Sequence, residues 1–286
     1  MKEFPIPVRM TGPGSQPVEE EQLQYLAMPR EMNTFRMPIV PERVETGALL
    51  EARAALLSLL QEMQRWNPAD SPHGPQCDLG GMSAAALEIM NQMLGEGEVS
   101  IRVDAERSFI IQESVFTGLW RVCARDGDGA LAQDWIEAGT MPRVVGETAR
   151  QAAAPRVGEV AIPPGAMNSP ALVAEIAAQL QARRPNGVAH VINLTLFPMT
   201  PDDHQVLDVA LPVGPVAIMS RGFGNCRITS TRTRDVWRVQ YFNNMNTLIL
   251  NTIEIVDLPE VALAAVEDLE DTRARLSDLI DWMGES

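Results

Sequence analysis

Trp120, Arg121 and Val122 recur as Trp237, Arg238 and Val239, 117 positions further along the chain. The same offset, without a gap, matches Ile136-Glu137 to Ile253-Glu254, Pro142 to Pro259 and Val144 to Val261. Backward from the tryptophans it matches Gly97, Val99 and Ile101 to Gly214, Val216 and Ile218, and Met82-Ser83 to Met199-Thr200. Pro68 and His73 meet Pro185 and His190 at that offset too. One register kept through two helices and four strands is the mark of an internal duplication. Whatever one copy folds into, the other must fold into as well.

Each copy opens on an amphipathic helix. In TGALLEARAALLSLLQEMQRW the apolar residues Leu49, Ala52, Leu56, Leu59, Leu60 and Met63 recur at helical spacing, and ALVAEIAAQLQARR plays that part in the second copy. A short helix follows, with Ser83 as N-cap in one copy and Thr200 in the other. Short strands close each copy: EVSIRV, SFIIQES, GLWRVCA and LAQDWIE, then PVAIMS, CRITSTR, DVWRVQYF and TLILNTIEIV. Links of two to five residues join them, so hairpins and an antiparallel sheet are expected. GVAHVINLTL predicts a strong strand between the helices of the second copy, whereas SPHGPQCDLG is a poor strand sequence in the first. The fold class is therefore α+β: two tandem copies of one helix-plus-antiparallel-sheet module. The expected boundaries are a flexible arm over residues 1–44, a first module over 45–145, a linker over 146–168 and a second module over 169–286. That second module ends in an acidic helix whose Val261, Ala265, Leu269, Leu276 and Ile280 suggest a docked face.

The net charge of −15 argues against nucleic acid as a partner, because phosphate binding needs a basic field. The three cysteines, Cys77, Cys123 and Cys226, are scattered and odd in number, which indicates neither a disulfide framework nor a structural zinc site. MKEFPIPVRM lacks the apolar stretch of a signal peptide, and no run reaches the length of a membrane span. A cytoplasmic protein with no membrane insertion is expected.

The most unusual stretch is GFGNC: Gly222, Phe223, Gly224, Asn225 and Cys226. A dinucleotide fingerprint would place a third glycine at position 227, which is Arg227, and no Walker motif follows. Its counterparts in the first copy are Ala105, Glu106, Arg107, Ser108 and Phe109. The turn itself thus requires neither glycines nor a thiol, and it is either a local variant or a specialisation of the second copy. Arg221, Arg227, Arg232, Arg234 and Arg238 surround it as a basic stripe. That stripe is either a solvated sheet face or a docking surface for a carboxylate-bearing partner. Partner-binding candidates are therefore Gly222, Phe223, Gly224, Asn225, Cys226, Arg227, Arg232 and Arg234. Cys226 is the one metal-ligand candidate, though a stable site needs more ligands than it offers. No nucleophile, base and orienting group come together in the sequence, since His190 alternates with apolar residues as a structural histidine does. No catalytic residue and no cofactor are expected.

The strings LGEGEVSIRV, QESVFTGLWRV, INLTLFPM, GFGNCRITSTRTRDVWRV and LPEVALAAVEDLEDTRARL together resemble the HupH/HyaF/HoxQ family of hydrogenase expression proteins. The leading TGPGSQP is similar to the family's N-terminal segment. The resemblance implies a cytoplasmic accessory protein for maturation of uptake [NiFe] hydrogenase. It implies as partners the iron–sulfur small-subunit precursor, held before twin-arginine export, and other maturation proteins. The family pattern places Cys or Ser two residues after the glycine–aromatic–glycine turn, which weakens Cys226 as an essential ligand. The alternative is an iron–sulfur or metal-handling factor that uses Cys226.

Overall fold

The computed structural model of the chain describes residues 46–285 other than 69, 72 and 223. The arm expected over residues 1–44 lies outside them. The first copy supplies α1 (Thr46–Arg65), β1 (His73–Asp78), α2 (Ala84–Leu94), β2 (Val99–Asp104), β3 (Ser108–Glu113), β4 (Leu119–Arg125), β5 (Leu131–Gly139) and α3 (Arg143–Gln151). The second supplies α4 (Ser169–Ala182), β6 (His190–Asn193), α5 (Pro201–Ala210), β7 (Val213–Ser220), β8 (Asn225–Thr231), β9 (Val236–Phe242), β10 (Leu248–Ile255) and α6 (Val266–Glu285). Both expected caps are present: Ser83 accepts from the Ala86 N–H, and Thr200 forms a capping box with Asp203.

The strands form one antiparallel sheet in the order β1-β5-β4-β3-β2-β7-β8-β9-β10-β6. The order of one half is the reverse of the other, and the ladders inside the two edge strands repeat residue for residue, while those of β1 with β5 and β6 with β10 differ in register. Ser108 faces Arg125 across β3 and β4, and their counterparts Asn225 and Phe242 face each other across β8 and β9. Leu119 faces Ala138, as Val236 faces Ile255. The halves meet where β2 pairs with β7, and there Ile101 faces its own counterpart, Ile218. Val99 faces Ser220 while Val103 faces Val216, so each contact is returned by the other copy. This is the geometry of an isologous dimer joined into one chain, with a pseudo-twofold axis through the Ile101–Ile218 pair.

Side-chain alternation divides the core between the two faces of the sheet. On one face, α1, α2 and α6 pack over Leu119, Ile136 and Ala138, and α4 and α5 pack over Val236, Ile253 and Ile255. On the other face, Ile101, Val103, Trp120, Val122, Ile218, Ile228, Trp237 and Val239 form a central core. The two matched tryptophans are buried there, and each indole N–H donates to a backbone carbonyl, of Gly139 for Trp120 and of Asp257 for Trp237. Helix α3 closes that core with Val145 and Ala149, and its Arg150 reaches Asp235 and Asp257 of the second copy.

The carboxy-terminal helix crosses the other way. Leu276, Ile280 and Met283 of α6 lie in the core of the first copy, Thr272 Oγ1 donates to the Thr117 carbonyl at 2.8 Å, and Arg53 Nε donates to the Ile280 carbonyl at 2.9 Å. Each copy therefore lends its last helix to the other.

Two strands depart from expectation. HGPQCD pairs with β5 as a strand, because an edge position tolerates Pro75 and the register slips between His73 and Gln76. A side chain at Gly74 would meet the Ala138 carbonyl and the Trp66 ring. GVAHVINLTL keeps only four residues of strand: the Asn193 side chain accepts from the Thr195 N–H, and the chain turns into a 3-10 helix over Leu194–Leu196.

Candidate functional site

The glycine stretch forms the turn between β7 and β8. Gly224 has φ of 90°, a conformation that suits glycine, and a Cβ on Gly222 would collide with the carboxylate of Glu98. The Arg221 N–H donates to the Glu98 carbonyl at 3.2 Å, so this turn leans on the first copy. Phe223 lies outside the described residues. Asn225 opens β8 opposite Phe242.

Cys226 points to the central core, fully buried between Ser220 and Tyr241 on the neighbouring strands. Burial pushes its thiol up to about 11 despite a hydrogen bond with Tyr241, whose own hydroxyl burial raises to about 12. A thiol in that state is a small core hydrophobe and a poor ligand or nucleophile. His190 is likewise structural: its Nε2 lies 2.7 Å from Glu175 Oε1, tying β6 to α4.

The arginine stripe is not continuous. Arg232 and Arg234 are exposed in the turn at the far end of β8, and Arg221 is exposed at the near end. Arg227 and Arg238 instead rise from the helix-bearing face of the sheet. There the folding of one copy against the other joins them to side chains the sequence keeps more than a hundred residues away.

The pairing registers define two rows across six strands, from β4 to β9. One row runs Arg121, Gln112, Ser100, Met219, Arg227, Gln240, and the next runs Cys123, Ile110, Arg102, Ala217, Thr229, Arg238. The pseudo-twofold axis exchanges the rows and brings Arg121 onto Arg238. These twelve positions hold four arginines and no carboxylate, in a chain with 38 acidic and 23 basic residues. Carboxylates reach two of the arginines from the margins: Asp134 grips Arg121 through two hydrogen bonds of 3.0 and 2.6 Å, and Asp208 of α5 reaches Arg238 at 3.1 Å. Arg102 makes a solvent-exposed pair with Asp104, and Arg227 lies 5.6 Å from the centre of the Phe242 ring.

Among the described residues, helices cover the outer strands of this face, as the two flanking cores show, and leave β3, β2, β7 and β8 as the floor of a trough. Ile110 is 51% exposed in the middle of a ten-stranded sheet, where an aliphatic side chain is ordinarily covered. Sequence reasoning missed Arg102, Ile110 and Arg121. The alternation of EVSIRV, with Ile101 and Val103 buried, already set Ser100 and Arg102 on the opposite face, and the repeat already matched Arg121 to Arg238.

Among the described residues no cluster of three or more His, Cys, Asp or Glu side chains stands ready for a metal, and no helix is long and apolar enough to cross a membrane.

The model of the HupH hydrogenase expression protein C-terminal conserved region matches residues 49–160 and again residues 166–283. The chain belongs to the HupH family of hydrogenase expression proteins. The double match to one family region agrees with the duplication read from the 117-residue offset. The hydrogenase expression/formation protein HoxQ of Cupriavidus necator is 44% identical over 285 residues, covering 99% of each chain. HupH of Rhodobacter capsulatus is 40% identical over 282 residues, covering 97% of this chain and 98% of its own. The hydrogenase-1 operon protein HyaF of Escherichia coli is 33% identical over 290 residues, covering 97% and 96%. Among solved structures, the hydrogenase expression protein HupH from Thiobacillus denitrificans is 28% identical, covers 38% of this chain and 92% of its own, and aligns with a TM-score of 0.36. The family and these relatives are named for hydrogenase expression and formation.

Proposed function

We propose that this chain is a non-catalytic cytoplasmic accessory protein that holds the iron–sulfur small-subunit precursor of an uptake [NiFe] hydrogenase before its twin-arginine export. The observation that carries the reading is full-length similarity to proteins named for hydrogenase expression and formation, at up to 44% identity among the relatives above. The surface of α6 supports it. Glu267, Asp268, Glu270, Asp271, Asp278, Asp281 and Glu285 are all exposed on that helix. Carboxylates in the first turn favour a helix, but those in the last turn oppose its dipole, and α6 has no basic residue of its own there, only Arg53 of α1 at the Ile280 carbonyl. An acidic end kept against helix stability suits attraction of a basic segment such as the start of a twin-arginine signal. The metal-handling alternative gains nothing from Cys226, whose thiol is buried and held protonated.

The test is affinity for the purified small-subunit precursor, with and without its signal peptide, measured across a salt series. Binding should weaken at least tenfold between low and physiological salt and again on removal of the signal. Binding indifferent to both would reject the electrostatic part of the reading, and capture of the large subunit alone would reject the assigned partner.

A further inference from the structure

We infer that the trough over β3, β2, β7 and β8 is a docking groove for one acidic amphipathic helix of the partner, an inference that rests on the partner reading above. The floor offers two kinds of contact in a fixed order. In the two rows, Ile110, Arg102, Met219 and Arg227 sit on successive strands β3, β2, β7 and β8, and they fall along one diagonal. With strands about 4.8 Å apart and residues about 3.4 Å apart along each strand, that diagonal is roughly 16 Å long. Its apolar members are about 12 Å from each other, and so are its two arginines. Two turns of an α-helix advance about 11 Å, so a helix laid along the diagonal would set apolar residues about seven positions apart over Ile110 and Met219. Carboxylates with the same spacing, displaced by three or four positions, would meet Arg102 and Arg227.

The width fits the same occupant. Four uncovered strands span about 14 Å between the helices on either side, and a helix with its side chains is about 10–12 Å across. Charge selects the acidic kind. Arg121 and Arg238 are held by Asp134 and Asp208, but the pair of Arg102 with Asp104 is exposed and weak, and among the described residues Arg227 has only the Phe242 ring. Arg102, whose partner Asp104 is an exposed neighbour on β2, and Arg227 thus remain to bind carboxylates, and Ile110 and Met219 supply the apolar area that makes the contact pay. The pseudo-twofold axis turns the diagonal onto itself but exchanges Ile110 with Arg227 and Arg102 with Met219. The two ends therefore differ, and the groove reads its helix in one direction.

The experiment uses the full chain co-expressed with the small-subunit precursor, with a photo-crosslinking amino acid at position 110 or 219. The precursor should be labelled within one segment that carries Asp or Glu at helical spacing. Reversing the two floor arginines (Arg102→Glu with Arg227→Glu) should weaken precursor binding tenfold or more, while Arg156→Glu with Arg184→Glu, both exposed and outside the two rows, should change it less than twofold. All four side chains leave the core, so both double variants should keep the wild-type melting temperature. Labelling of an uncharged or basic segment, or of residues 1–45 of the chain itself, would overturn the groove. So would wild-type affinity in the Arg102/Arg227 variant, an outcome that leaves the partner reading standing. If the wild-type chain captures no small subunit at all, the partner reading fails and this occupant fails with it.

Discussion

Glu113 shows how one side chain ties a joint of this fold to pH. It is 6% exposed beside Gly118, whose N–H donates to its Oε1 at 3.1 Å, and Leu269 of α6 packs against that glycine. Burial pushes its carboxyl up to about 7, against the hydrogen bonds from the Gly118 and Val99 backbone and with help from the Glu98 and Asp268 charges. Because the folded chain holds this proton more tightly than the unfolded one, stability falls as pH rises from about 4.5 to about 7 and then levels off. Glu113→Gln keeps the acceptor for Gly118 and removes the charge. It should match wild type in urea unfolding at pH 4.5 and exceed it at pH 8 by on the order of 3 kcal/mol. A gap of the same size at both pH values would show that Glu113 does not titrate. Neither this residue nor the burial of Cys226 was legible in the sequence, because both depend on what packs above the strand.

At the scale of elements, local signals worked where the chain satisfies itself locally. The caps at Ser83 and Thr200 were readable because a hydroxyl and the N–H groups beside it are neighbours in sequence. The strand lengths of β1 and β6 were not, since an edge strand is fixed by its single partner and by where a side chain turns it off. Asp203 joins the two kinds. Its Oδ1 accepts from the Met167, Asn168 and Ser169 N–H groups at 2.8–2.9 Å and its Oδ2 from the Thr200 N–H at 3.0 Å, so one carboxylate ties the start of α5 to the start of α4. Burial alone would raise its pKa, but these donors hold it well below the usual carboxylate range. Asp203→Ala strands those donors, and it should cost about 3 kcal/mol or more in urea unfolding at pH 7. A loss below 1 kcal/mol would mean that solvent replaces the carboxylate freely.

The whole molecule behaves as a fused dimer whose halves have exchanged their last helices. Its central core is built jointly, with Ile101 and Trp120 from one copy against Ile218 and Trp237 from the other. Neither half can bury that surface alone. Cutting the chain between Arg156 and Val157, in a stretch without helix or strand, should leave two pieces that co-purify one-to-one when expressed together. Each piece expressed alone should aggregate or self-associate. Recovery of either half as a stable monomer with a cooperative melt by size exclusion and circular dichroism would contradict the shared core.

From the sequence by itself came the duplication, the α+β class, the family, the hairpin strands and the helices other than α3, which falls largely where a linker is expected, because each rests on periodicity or on identity between positions that can be counted along the chain. The tertiary structure alone decided how the copies meet. Pairing β2 with β7 set Arg102 and Ile110 beside Met219 and Arg227 on one uncovered floor, and it sent α3 and α6 across to opposite partners. The reason is physical: hydrogen-bond registers between distant strands bring side chains together that no local pattern relates. GFGNC stands out in the sequence, yet its thiol is core and its glycines serve a turn against Glu98. The trough beside it is spelled in no contiguous stretch of the chain.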